Sequence, residues 1–174
     1  MNQLPTRLLW AALTFISAIA TCAAESGQLG SPAPDCVLSS IDNTQRYNLS
    51  QFKGKVVYVD FWASWCTSCT KSFPYLNELN HELKGHGLEI MAVNLDEVRE
   101  DANNFLSIHP AHFNVVADND GQCASAFSVK AMPTSYLVDR NGVIRQLHLG
   151  FRPGEAKEFR ALVEQLLAEN QTVH

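Results

Sequence analysis

Two cysteines, Cys66 and Cys69, are separated by two residues in the stretch VDFWASWCTSC, where an apolar run stops and a helical pattern begins. The run from Lys55 to Phe61 is rich in β-branched and aromatic residues, which predicts a buried strand. The pattern that follows places Cys66 at a helix N-terminus, where unpaired backbone N–H groups and the helix dipole favour a thiolate. Cys69 lies one turn further along on the same side. The pair therefore predicts a reversible dithiol–disulfide switch.

Two structural roles compete with this interpretation. A permanent disulfide would close so small a ring that it could stabilise the fold little. Half of a zinc site would need two further ligands at regular spacing, and the sequence does not offer them. The six histidines form no motif either. We therefore expect no metal and no cofactor.

Asp60 is an unexpected residue in the otherwise apolar run that precedes the cysteines. An ionised carboxylate is costly in a buried strand, so burial should raise its pKa. The alternative is a solvated aspartate at the end of the strand.

Several segments of the chain resemble the TlpA/ResA-like group of exported thioredoxin-fold thiol–disulfide oxidoreductases. The matching segments are Ala33-Pro34-Asp35, Phe52-Lys53-Gly54-Lys55, the Trp62 to Cys69 motif, Met132-Pro133-Thr134 and Val138-Asp139-Arg140-Asn141-Gly142. Together they extend from Ser31 to Ala168. On this basis Cys66 is predicted to attack a client disulfide and Cys69 to resolve the mixed disulfide.

The resemblance also suggests a general base. Thioredoxin has an aspartate at the position that matches Asp60, where it handles the proton of the second cysteine. ResA-like relatives instead carry a glutamate three residues after that cysteine, where this chain has Ser72. We therefore predict that Asp60 is the general base.

The resemblance assigns client binding to residues outside the CxxC motif. It implies that the bond between Met132 and Pro133 is cis and that this loop lies beside Cys66, with the backbone of Met132 available to an extended client. The alternative is an ordinary trans proline in a turn. Trp65 and Trp62 would form an aromatic collar, although packing alone would account for Trp62.

The alternation of strand and helix patterns predicts an α/β fold with a mixed central sheet flanked by helices. The predicted strands are 36–40, 45–47, 55–61, 88–93, 113–117, 134–138 and 143–149, and the predicted helices are 67–84, 98–108, 122–127 and 155–168. The resemblance implies a thioredoxin fold with an N-terminal β-hairpin and an extra β/α insertion before the helix at 122–127.

The N-terminal residues 1–24 read as a targeting segment, with Arg7 before the apolar run Leu8 to Ala20 and small residues before Glu25. Three outcomes are open: cleavage as a signal peptide, retention of residues 8–24 as an anchor, or lipidation of Cys22. We expect a periplasmic protein, free or attached to the inner membrane. Residues 25–34 are predicted to be a linker and residues 35–174 the thioredoxin-like domain.

Cys36 and Cys123 leave a second question open. An even count of four cysteines in the exported chain suits a second disulfide. Cys36, however, occupies a position where relatives usually have phenylalanine, which favours two buried thiols. The sequence leaves both alternatives standing.

The acidic composition, 13 basic against 18 acidic residues, argues against a nucleic-acid partner. We predict an exported thiol–disulfide oxidoreductase that reduces cysteine-containing client proteins, with a membrane thiol–disulfide transporter as electron donor. By resemblance it would serve cytochrome c or copper-site maturation. The alternatives are a disulfide oxidase or isomerase, a peroxiredoxin-like thiol peroxidase, and a copper-delivery module.

Overall fold

The computed structural model describes residues 27–169, which form one seven-stranded sheet with helices on its faces. The strands are β1 (Leu38–Ser40), β2 (Arg46–Tyr47), β3 (Val56–Trp62), β4 (Leu88–Asn94), β5 (Asn114–Ala117), β6 (Thr134–Val138) and β7 (Ile144–Leu149). The α-helices are α1 (Cys69–Leu83), α2 (Arg99–Ile108), α3 (Gln122–Ala126) and α4 (Ala156–Ala168). Short 3-10 turns occupy Leu49–Phe52, Lys84–His86 and Pro153–Glu155.

The sheet is mixed, with the strand order β2-β1-β5-β4-β3-β6-β7. β3, β4 and β5 run parallel, and the remaining neighbours pair antiparallel. The predicted mixed sheet with flanking helices and an N-terminal hairpin is confirmed. The inserted strand β5 joins β4 to that hairpin, which extends the sheet on one side.

β3 lies near the centre of the sheet, and all seven of its residues are buried. Its side chains alternate between the two faces. Val57, Val59 and Phe61 enter the core beneath α3, whereas Val56 and Tyr58 pack with leucines of α1 and with Phe159 of α4. Each fully buried leucine in these layers stabilises the fold by roughly 1.5–3 kcal/mol. The strand that precedes the cysteines is therefore held firmly on both faces.

The second half of the predicted linker, residues 25–34, is attached to the sheet. Gly30 N–H donates to the Ile144 carbonyl at 2.8 Å, Ile144 N–H to the Ser31 carbonyl at 3.0 Å, and Ala33 N–H to the Gly142 carbonyl at 2.8 Å. An edge strand has unpaired backbone groups, and this segment satisfies those at the start of β7. Residues 30–33 are thus attached to the folded domain.

The predicted targeting segment, residues 1–24, lies outside the described residues. Within residues 27–169, none of the helices combines the length and the apolar character needed to cross a bilayer.

Cys36 and Cys123 are joined by a disulfide, with their Cα atoms 5.4 Å apart. The register explains the approach: Ser39 of β1 pairs with Ala117 of β5 in antiparallel fashion, so residues before β1 meet residues after β5. The favoured alternative of two buried thiols is therefore wrong for this structure. Cys36 is only half-buried at the margin of the core, unlike a core phenylalanine.

Candidate active site

Cys66 and Cys69 follow the end of β3 and are joined as a disulfide, with their Cα atoms 5.3 Å apart. Their exposure differs: 5% of the surface of Cys66 is accessible, whereas Cys69 is fully enclosed. Both belong to a cluster with Trp62 and Phe73. A client sulfur can therefore approach Cys66 more readily than Cys69.

The helix begins later than the sequence predicts. Cys66 N–H donates to the Ala63 carbonyl at 3.1 Å and Cys69 N–H donates to the Cys66 carbonyl at 3.0 Å, so Cys66 lies in a turn before α1. Ser68 Oγ lies 3.6 Å from Cys66 Sγ, close enough for a weak hydrogen bond to sulfur. A side-chain hydroxyl in this turn therefore contacts the Cys66 sulfur.

Asp96 holds the loop that carries the first cysteine. Its carboxylate accepts hydrogen bonds from Ser64 N–H at 2.9 Å and from Ser64 Oγ at 3.0 Å, and a third from Asn94 Nδ2 at 2.8 Å. Asp96 is buried, which strengthens these charge-assisted bonds. They fix the backbone two residues before Cys66.

The sequence analysis missed Asp96, although a signal was present. Trp62 pairs with Asn94 in parallel register, so the residues two positions later, Ser64 and Asp96, also lie side by side. Polar residues directly after two adjacent parallel strands meet at one edge of a sheet, where binding sites are common.

Asp60 is buried in β3 with 1% of its surface exposed. Burial raises the pKa of this carboxyl to about 7, against an opposing effect of the hydrogen bond from Ser135. Ser135 Oγ donates to Asp60 Oδ1 at 2.6 Å, whereas Oδ2 has no hydrogen-bond partner within residues 27–169. The alternative of a solvated aspartate at the end of the strand is therefore excluded. A carboxyl of this kind can take up and release a proton near neutral pH.

Asp60 points to the same face of the sheet as α1. Side chains two apart along a strand share a face, and the residues on either side of Asp60 on that face are Tyr58 and Trp62. Tyr58 packs with Leu76 in the middle of α1, and Trp62 packs with Cys69 at its start. Asp60 therefore lies beneath the first turns of α1, on the enclosed side of the cysteine pair.

The Met132–Pro133 bond is cis, as predicted. Met132 packs against the cluster that contains Cys66 and Cys69. Pro133 is buried, and its carbonyl accepts a hydrogen bond from Gly150 N–H at 2.8 Å.

The two tryptophans have different environments. Trp65 is 70% exposed next to Cys66. Trp62 is fully buried and contacts the rings of Phe73 and Phe105. Trp62 is therefore a core residue, and only Trp65 can belong to an exposed collar.

Within the part of the chain that the structure describes, no three side chains of the metal-binding types come together. The site brings together two sulfurs, one buried carboxyl and the loop at Met132.

Comparison with known proteins places this geometry in a wider group. The Redoxin family model matches residues 28–166. The thiol-disulfide oxidoreductase ResA of Bacillus subtilis (strain 168) is 38% identical over 126 residues, which cover 72% of this chain and 70% of that protein. ResA of Geobacillus kaustophilus is 37% identical over 122 residues, 70% of each chain. The crystal structure of a Chlorobium tepidum protein described as a thiol:disulfide interchange protein DsbE has a TM-score of 0.78 at 42% identity, covering 82% of this chain and 100% of the other.

Proposed function

Because the chain belongs to the Redoxin family and its relatives are thiol-disulfide oxidoreductases, we propose that it is an exported reductase of protein disulfides. The observation that carries this proposal is the Cys66–Cys69 disulfide after β3, with one sulfur reachable and the other enclosed. This asymmetry suits a division of labour between an attacking and a resolving thiol.

In the proposed reaction the Cys66 thiolate attacks one sulfur of a client disulfide, and the other client sulfur leaves as a thiolate. Asp60 then takes the proton of Cys69. The Cys69 thiolate attacks Cys66 Sγ, which forms the internal disulfide and releases the second client sulfur as a thiolate. Two electrons pass from the protein dithiol to the client.

The position of Asp60 supports its role as the base. It lies beneath the start of α1, one of its carboxylate oxygens has no hydrogen-bond partner among residues 27–169, and its pKa is about 7. A base with such a pKa is ionised often enough to accept a proton and basic enough to hold it.

The client would bind across Trp65, Met132 and Pro133. Within residues 27–169 no hydrogen bond occupies the backbone N–H or carbonyl of Met132, so an extended peptide can pair with both. Trp65 offers an exposed apolar surface beside Cys66.

The protein would work in the periplasm, free or held by residues 8–24 or by a lipid on Cys22. Its proposed role is to keep client cysteines reduced, as in cytochrome c or copper-site maturation. Since those surroundings are oxidising, the proposal requires a membrane thiol–disulfide transporter that returns Cys66 and Cys69 to the thiol form.

The catalytic assignment is tested by Asp60→Asn in reduction of insulin disulfides with dithiothreitol as electron source. General-base catalysis is typically worth about 10²–10⁴-fold, so we expect a rate at pH 7 at least about tenfold below that of the unchanged protein. Asp101→Asn, at an exposed position of α2, controls for the loss of one negative charge. An unchanged rate in Asp60→Asn would remove Asp60 from the mechanism.

The direction of electron flow and the clients are tested in cells. Rapid alkylation of intact cells should find Cys66 and Cys69 mainly as thiols, whereas a mainly oxidised pool would reverse the assignment towards disulfide formation. Cys69→Ser should trap clients as mixed disulfides on Cys66, and mass spectrometry then identifies them.

A further inference from the structure

Asp60 has no direct contact with solvent, yet a base must exchange its proton. The side chain is 1% exposed and enclosed by the sheet and α1. The inference that follows rests on the role of Asp60 proposed above, and it concerns how protons reach this carboxyl.

Three polar side chains form a row across adjacent strands. Asp60 of β3 pairs directly with Ser135 of β6, and Ser135 pairs directly with His148 of β7. Residues directly opposite each other in antiparallel strands share a face, with Cβ atoms about 4.5–5.5 Å apart. The first step of the row is a hydrogen bond of 2.6 Å from Ser135 to Asp60. The second step rests on the register alone, because side chains at this separation allow a hydroxyl and an imidazole to meet directly or through one water molecule.

The outer end of the row reaches the surface. His148 Nε2 lies 3.2 Å from Glu155 Oε2, and their side chains are 20% and 32% exposed. Glu155 also pairs with the largely exposed Arg152 at 2.7 Å. A proton on His148 is therefore within one step of solvent.

Aromatic rings surround the row on its helical side. The ring of Phe159 in α4 lies 5.3 Å from that of Tyr58 and 4.9 Å from that of His148. These rings also line a small enclosed cavity that lies between His148 and Tyr58. Phe159 therefore covers the row on this side with an apolar ring.

Tyr58 and Tyr75, the other titratable groups beside the row on its helical side, do not compete with Asp60 as the base near neutral pH. Burial, and then the neighbouring Asp60 carboxylate, raise the pKa of Tyr58 well above its ordinary value. Burial likewise raises the pKa of Tyr75 of α1 to about 12. Both phenols keep their protons at neutral pH. Cys69 carries no proton while it is in the disulfide.

We propose that Ser135 and His148 pass protons between the Asp60 carboxyl and solvent. When Cys69 attacks, Asp60 receives one proton. Asp60 then gives this proton to Ser135 Oγ, while the hydroxyl proton of Ser135 moves to His148 and from there to Glu155 or water. The reverse sequence restores the proton when Cys69 next leaves as a thiolate. No electron moves along the row.

The test measures proton exchange at Asp60 in the oxidised protein, where no thiol chemistry takes place. The carbon-13 shift of the Asp60 carboxyl reports its protonation, and relaxation dispersion near pH 7 reports the exchange rate. We expect His148→Ala and Ser135→Ala each to slow exchange by at least about tenfold. Free imidazole should restore the rate in His148→Ala, and Ser135→Thr, which keeps the hydroxyl, should exchange like the unchanged protein. His81→Ala, at an exposed histidine of α1, is the matched control.

Exchange rates equal to that of the unchanged protein in both His148→Ala and Ser135→Ala would overturn the route. The route would also be overturned if free imidazole failed to restore proton exchange in His148→Ala and Ser135→Thr exchanged as slowly as Ser135→Ala. Because exchange is measured without turnover, this result is independent of the Asp60→Asn rate. A slow Asp60→Asn enzyme with normal exchange in His148→Ala would keep Asp60 as the base and remove only the route.

Discussion

Replacing Asp60 with asparagine should change how the stability of the oxidised protein depends on pH. The folded state raises the pKa of this carboxyl from 3.8 to about 7, chiefly through burial. Between these values the folded state binds a proton that the unfolded state has lost. The stability associated with protonated Asp60 is therefore fully present below pH 4 and is lost as the pH rises through 7.

The magnitude follows from the size of the shift. About three pKa units at about 1.4 kcal/mol each correspond to about 4 kcal/mol. Asparagine has the same shape, cannot ionise, and can keep the hydrogen bond from Ser135 Oγ. The free energy of unfolding of Asp60→Asn, minus that of the unchanged protein, should therefore rise by about 4 kcal/mol between pH 4 and pH 8.

Urea unfolding followed by circular dichroism at several pH values gives both free energies. Subtracting the two curves cancels other titrating groups, including Asp118, whose pKa burial also raises. Asp101→Asn serves as the control for removing an exposed charge. A difference between Asp60→Asn and the unchanged protein that stays constant from pH 4 to pH 8 would refute the burial argument for Asp60.

Three further changes test other parts of the structure. Replacing both Cys36 and Cys123 with serine removes a disulfide between residues 87 positions apart and should lower the free energy of unfolding by about 4–5 kcal/mol. Urea unfolding measures this, and a midpoint equal to that of the unchanged protein would contradict it. Asp96→Ala removes a buried carboxylate with charge-assisted hydrogen bonds and should lower the free energy of unfolding by about 2–3 kcal/mol. It should also slow the alkylation of reduced Cys66. Alkylation at the normal rate would show that the loop does not need the support of Asp96. Trp65→Ala, at a 70% exposed position, should change stability by less than about 0.5 kcal/mol yet raise KM for insulin without raising it for a small disulfide; equal effects on both substrates would argue against client contact.

The sequence predicted the local elements well because their signals are short-range. The alternation of strand and helix patterns and the runs of β-branched residues depend on neighbours in the chain, and the structure has strands and helices at these places. The CxxC pair and the apolar run around Asp60 likewise lie within one short segment of the sequence. Their chemistry could be inferred before any fold was known.

The start of α1 shows where local signals stop. The sequence pattern began this helix at Thr67, but the backbone makes a separate turn at Cys66 and the helix begins at Cys69. Helix boundaries depend on which carbonyl each N–H group reaches, and here the loop is held from outside by Asp96. A residue about thirty positions away therefore takes part in setting the geometry of the first cysteine.

What the sequence by itself determined is the class of chemistry and the order of the elements, since residue types and periodicity carry both. Tertiary structure alone decided the pairing of Cys36 with Cys123, the burial of Trp62, and the row from Asp60 through Ser135 to His148. Each of these depends on strand register between distant segments. Register is set by how whole faces pack, and no short stretch of the chain contains that information.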